Sequence, residues 1–254
     1  MKIKNPLKKF TKEPPLGWAQ LSHQKVRMIV ALSGIAFADI LIFMQLGFYT
    51  SMFGGITRIH EHLNGDLFLV SARAKTLVDG QNFSHRYLYQ AAAIDGITSA
   101  SPFYYSNAGW INPWEKKVTN VAILAFDPAH PVLDLPEVNQ QLEQIKLPDK
   151  VLVDRLARPD LGSIEETFEQ GKPIKTEISE RRISVGGMFT LGTTMFTEGP
   201  LITSDWNYLR LYGADSIDNI TVGVLKTKTD AEVETVKQKV RATLPGDVAV
   251  MTHE

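Results

Sequence analysis

The chain has 254 residues, 44% of them hydrophobic and 22% charged, with no cysteine and a formal net charge of -1. This is a globular composition, neither disordered nor collagen-like, and its length suits one large domain or two small ones with real cores. The lack of cysteine excludes disulfide scaffolds, thiolate zinc sites and thiol catalysis, and the balanced charge argues against a general nucleic-acid binder.

The balance hides a split. Residues 1–27 hold seven Lys and Arg against the single acid Glu13, a formal +6, which leaves -7 for the remainder. Directly after this flank, Met28 to Tyr49 is a 22-residue apolar run whose only charge is Asp39. As a helix rising about 1.5 Å per residue, it can cross a hydrocarbon core of roughly 30 Å. The positive flank places 1–27 in the cytoplasm and the bulk of the chain outside. Two other readings compete with a transmembrane anchor: a signal peptide cleaved near Ala36-Phe37-Ala38, and an unusually long core helix. An ionised Asp39 in mid-span costs on the order of 2.5 kcal/mol or more. It is therefore expected to meet a neighbouring helix or to be proton-sensitive, with Gln45 as a second polar group.

Beyond the span, Met52, Ile56, Ile59 and Leu63 form an amphipathic stripe, and Asn64-Gly65 supplies a stop, so residues 50–64 read as a stalk helix. From 65 to 254 the units are short and mixed. Leu67 to Val70, Ile97 to Ala100, Val151 to Asp154, Ile183 to Met188, Leu201 to Thr203 and Ile220 to Leu225 read as strands. Tyr104 to Ile111 and Val118 to Phe126 read as a hairpin around Asn112-Pro113-Trp114-Glu115. Helices are predicted over Ser84 to Ala93, near Glu137 to Ile145, and after a Thr229/Glu232 capping box, where Val233, Val236, Val240 and Leu244 form the buried stripe. Pro245-Gly246 ends that helix and Val248 to Met251 returns as a strand. Without a regular βαβ rhythm, the class is α+β. The charge-rich stretch Lys146 to Arg182 reads as part of an inserted subdomain.

The chemistry-bearing patterns are sparse. There is no phosphate-binding GxxxxGK[ST] and no GxSxG elbow, and Gly186-Gly187 lacks the rest of a dinucleotide fingerprint and reads as close packing after a strand. His60-Glu61-His62 spaces its rings i, i+2, which puts them on different sides of a helix. Glu165-Glu166, with Asp154, Asp160 and Glu169, reads as a charged surface rather than a catalytic pair. Phe103, Tyr104, Tyr105, Trp110 and Trp114 could be core or a ligand surface. No catalytic, cofactor-binding or metal residue is assigned, so the chain reads as a non-catalytic module that binds, scaffolds or transmits.

Several runs resemble the DevC family of cyanobacterial ABC exporter permeases: Gly34-Ile35-Ala36-Phe37-Ala38-Asp39-Ile40-Leu41-Ile42-Phe43-Met44-Gln45-Leu46-Gly47-Phe48, Phe126-Asp127-Pro128, Leu133-Asp134-Leu135-Pro136-Glu137-Val138, Asp154-Arg155-Leu156-Ala157-Arg158-Pro159, Leu201-Ile202-Thr203-Ser204-Asp205 and Leu244-Pro245-Gly246-Asp247-Val248. They fall in order from about residue 16 onward. Thr193 to Gly199 departs from the family pattern, and the chain stops at Glu254, where the family's second transmembrane helix approaches, so a truncated product or a fragment is expected.

The resemblance implies a MacB-like periplasmic domain over 65–254, porter-like with an inserted subdomain at approximately 104–212, on an inner-membrane helix at 28–49. It also implies a tripartite exporter with a DevA-like ATPase, a DevB-like periplasmic adaptor, indirectly a TolC-like outer-membrane duct, and a homodimer. ATP hydrolysis in the partner would drive periplasmic motion for efflux, with glycolipid-like cargo as the family's example. The competing reading is a single-pass, membrane-anchored sensor or solute-binding module.

Overall fold

A computed structural model describes residues 24–75, 81–194, 196–229 and 233–252, with no side chains described for 51–57. Most of the basic flank, Trp18, the side chains of Met52 and Ile56, and Glu232 of the capping box lie outside the described residues. Contacts divide the chain into two units, Met1–Thr50 and Ser51–Glu254, each treated by itself.

In the first unit, Lys25–Thr50 is helical and strongly apolar, and its apolar stretch is unburied. It is long and apolar enough to cross a membrane. Apolar side chains such as Ile29, Phe37, Ile40 and Phe43 are exposed around the helix, a pattern suited to lipid rather than to a one-sided protein core. The helical run is unbroken and ends at Glu61 (α1, Lys25–Glu61).

The second unit is built on one nine-stranded sheet with helices and loops on both faces. Its first part comprises β1 (Leu67–Ser71), α2 (Arg86–Ala92), β3 (Ile97–Ile111), β10 (Val222–Thr227), α7 (Val233–Thr243) and β11 (Val248–Met251). These strands lie in the order β11-β1-β10-β3, all antiparallel. That is a split β-α-β-β-α-β arrangement, interrupted between β3 and β10. The interruption holds β4 (Val118–Phe126), α3 (Pro136–Asn139), α4 (Leu142–Lys146), β5 (Lys150–Asp154), α5 (Ile164–Glu169), β6 (Lys175–Ile178), β7 (Arg181–Phe189), β8 (Pro200–Ser204) and α6 (Asp205–Tyr212). A small ladder joins β2 (Phe83–Ser84) to β9 (Asn219–Ile220).

Strand β3 belongs to both parts. Up to Phe103 it pairs with β10, and from Phe103 to Ile111 it pairs with β4. The order then runs β4-β8-β5-β7-β6, and β6 returns to β3 through Trp110 and Ile178. Six strands thus form a small barrel closed by a single residue pair.

Both faces of the shared sheet are covered, so β1 is buried at all five positions, as expected where neither face meets water. Leu67 and Leu69 share a core with Leu88 and Ala91 of α2, Val236 and Val240 of α7, and the barrel interior of Trp110, Val121, Ile123 and Val153. Phe68 and Val70 point the other way, into a core with Phe103, Leu124, Val224, the loop residues Val132 and Leu133, Ile59 of α1 and Leu63 just beyond its end.

The α+β class is what the structure has. Ile97 to Ile111, read as two strands, is one 15-residue strand. Pro102, which hid the join, sits where only β10 flanks β3, and a proline is tolerated on such an edge. The helix expected near Glu137 to Ile145 is two short helices parted at Gln140 and Gln141. The predicted hairpin turn is present, with Asn112 Oδ1 accepting from the backbone N–H groups of Trp114 and Glu115. Gly186-Gly187 lies within β7, not after it.

Candidate functional site

Where α1 ends, it is fastened to the sheet unit at several points. Ile59 and Leu63 are each 2% exposed. Leu63 forms an isolated antiparallel bridge with Leu133. The Asp134 N–H donates to His62 O at 2.7 Å, and the Asn64 N–H donates to Val132 O at 2.8 Å. His62 Nδ1 lies 3.2 Å from Asp134 O. The apolar i, i+4 pair supplies burial and the backbone bonds fix register, so the helix end and the loop after β4 form one body.

Arg58 also brings the tip of its side chain beside the segment between β7 and β8. Gly192 has φ +98°, and a Cβ placed on it would lie 2.1 Å from Arg58 Nη1. Its N–H donates to Asp154 Oδ2 at 2.7 Å, while the N–H groups of Leu156 and Leu191 each reach Asp154 Oδ1 at 3.1 Å. Asp154, the last residue of β5, is 1% exposed. Burial raises its carboxyl above the ordinary range, against the pull of these three backbone donors and of the Arg58 charge.

Asp154 also lines a cleft of about 210 Å³ at the barrel mouth, with Met188, Leu161 and Ile164 among its apolar walls and Arg155, Arg158, Glu165 and Glu166 among its charged ones. Arg155 pairs with Glu165 and Arg158 with Glu198, both at 3.2 Å. Trp114 closes over Gly162, where a Cβ would lie 2.3 Å from Trp114 Cε3. Two other hollows flank the sheet face that receives α1. One is apolar, about 80 Å³, with Phe68, Val70, Val222 and Met251 in its wall and His60 at its side. The other, about 300 Å³, lies between β10 and the Pro131 loop and includes Ser101, His130 and Lys226.

The residues singled out from sequence scatter. His60 meets Phe68 edge to face at 5.2 Å, whereas His62 serves the Asp134 loop, so the two rings have separate partners. The described residues contain no group of three His, Asp or Glu able to hold a metal. Glu165 and Glu166 are exposed on the first turn of α5. Phe103, Tyr104, Tyr105 and Trp110 are core, and only Trp114 is open to solvent. Tyr104 stacks on Tyr208, which packs against Tyr212. Burial pushes the Tyr212 and Tyr105 hydroxyls up to about 12, which suits packing rather than proton transfer.

Sequence reading missed the Arg58, Asp154 and Gly192 cluster. The sequence places Asp154 at a strand end and among surface acids, and nothing local to these residues signals contacts across 96 and 38 positions of chain.

No family model and no curated protein matches the chain. Among solved structures it is similar to the extracellular domain of the noncanonic ABC-type transporter YknZ from Gram-positive bacteria, with 10% identity and a TM-score of 0.48 over 74% of this chain and 99% of that one. It is also similar to the periplasmic region of MacB from Actinobacillus actinomycetemcomitans, with 10% identity and a TM-score of 0.48 over 77% of this chain and 92% of that one.

Proposed function

We propose that the chain is a permease subunit, or the N-terminal part of one, in an ABC-type exporter. In this reading 1–27 is cytoplasmic, 28–49 spans the inner membrane, 50–64 is the stalk and 65–254 is periplasmic, with an insert at approximately 104–212. The break in strand order between Phe103 and Val222 supports that insert. The observation that carries the proposal is the helix Lys25–Glu61, which begins as an apolar span and ends with Ile59, and just beyond it Leu63, buried in a folded unit. A helix whose last turn is packed into a folded unit is suited to passing displacement into that unit.

The DevC-like sequence runs supply the rest. The chain itself is non-catalytic, a DevA-like ATPase supplies the work, a DevB-like adaptor and indirectly a TolC-like duct receive the motion, the subunit pairs as a homodimer, and the cargo is glycolipid-like. Tagged full-length gene product extracted from membranes is expected to carry an ATPase with a Walker A motif in stoichiometric amount. Recovery of intact membrane protein with no such ATPase overturns the proposal. The hollows beside the sheet favour one second reading, a membrane-anchored sensor or solute-binding module. That reading predicts saturable binding of a small ligand with no dependence on ATP.

A further inference from the structure

We propose that Arg58, Gly192 and Asp154 form a latch through which the last turns of α1 set the conformation of the β7–β8 segment, and with it the barrel mouth. The latch has three layers. The tip of the exposed Arg58 side chain lies beside Gly192, whose left-handed φ of +98° favours glycine there. Gly192 and Leu191 donate their N–H groups to the carboxylate of Asp154. Asp154 in turn holds the start of the next loop through the Leu156 N–H. One buried carboxylate therefore joins the segment leaving β7 to the loop leaving β5, and the cation beside it comes from α1. A carboxylate 1% exposed is costly to keep charged without such partners.

The two loops meet again further on. The Arg158 N–H donates to Glu198 O at 2.7 Å, and the Glu198 N–H donates to Asn120 O at 2.8 Å. Asn120 Nδ2 donates to Phe196 O at 2.9 Å. Gly199 packs on Ala157, where a Cβ would come within 2.6 Å of the alanine methyl. Between these ties the loops present Leu156 and Phe196, 56% and 53% exposed. Because Arg58 lies one turn before His62, the helix end that bonds the Asp134 loop also places a cation beside Gly192 and Asp154. A shift of α1 is thereby delivered to two loops at once.

The consequence for transport rests on the export reading, but the latch can be tested without it. Hydrogen exchange is measured on the full chain in nanodiscs for the native protein, R58K and R58A. R58A is expected to raise exchange at Leu191 to Thr194 about tenfold, with β1 and β10 unchanged, and R58K to fall between. A spin label at F196C, in a chain with no other cysteine, is expected to gain mobility in R58A. Native exchange and label mobility in R58A overturn the latch, as does an increase spread equally over β1 and β10, which reports general loosening. Absence of a partner ATPase would overturn the export reading and leave these outcomes as they stand.

Discussion

Arg210 grips Asp149 with two prongs: Nε is 3.0 Å from Oδ1 and Nη2 is 2.8 Å from Oδ2, and Arg181 adds Nη1 at 3.3 Å. The contact ties α6 to the residue before β5, where Asp149 sits at φ 57°. Asparagine tolerates that backbone, so D149N removes the charge and replaces one acceptor oxygen with a donor amide without straining the chain. The hydrogen bond from Arg210 is the leading reason that the Asp149 carboxyl titrates below its ordinary value of 3.8, with burial opposing. A folded-state value lowered in this way contributes stability above the unfolded value, and that contribution is lost as pH falls through the folded one. D149N should cost about 1 kcal/mol at neutral pH. In urea unfolding at a series of pH values, its deficit should shrink below pH 3.8.

Asn207 should matter more than either arginine. It is 3% exposed. Its Nδ2 lies within 3.2 Å of the carbonyl oxygens of Ile145, Leu147 and Lys150, and its Oδ1 accepts the Asp149 N–H at 2.8 Å. N207A leaves several buried groups unsatisfied and is expected to cost about 3 kcal/mol in denaturant unfolding. A loss comparable to that of D149N would show that these bonds are not made.

Trp110 closes the barrel. It is fully buried, pairs with Ile178, and donates Nε1–H to Leu161 O at 3.2 Å. W110A should cost about 3–5 kcal/mol. W110F keeps most of the packing but orphans the Leu161 carbonyl, at about 1–2 kcal/mol. Tryptophan emission checks the burial: three tryptophans remain in either variant, and the blue-shifted component should disappear in both.

Gly187 marks a close approach. A Cβ there would lie 1.8 Å from Gln141 Oε1, and Gln141 Nε2 donates to Glu137 O at 2.7 Å and Met188 O at 2.8 Å. G187A should displace the glutamine and cost about 1–2 kcal/mol. The Q141A/G187A pair should cost less than the sum of its members, a coupling that a double-mutant cycle reads directly.

The parts legible in the sequence are those where apolar periodicity and turn chemistry agree. Val118 to Phe126 alternates or runs apolar and is a strand, Val236 and Val240 mark the buried face of α7, and Asn112 makes the turn its side chain favours. Helix α6 was missed because half of what it buries is polar. Its N-cap was present in the sequence, with Ser204 Oγ accepting from the Asn207 N–H, but Asn207 occupies a place where an apolar residue would have shown the stripe. Strand β6 is four residues inside a charge-rich stretch, and only Thr176 and Ile178 point inward. The joint was half legible: Ile59 and Leu63 stood out as a stripe, but their partners Leu133 and Asp134 are distant in sequence, as is Gly192 beside Arg58. Contacts of that kind arise from topology, which local pattern does not encode.

The central claim is that an apolar helix carries a folded unit across a membrane, and single-cysteine labelling tests it most directly because the native chain contains no cysteine. K12C probes the basic flank and E169C an exposed site on α5. In carbonate-washed membranes the protein should remain bound. In spheroplasts a membrane-impermeant maleimide should label E169C at once and K12C only after permeabilisation. Release by carbonate, or labelling of K12C with E169C protected, would contradict the account.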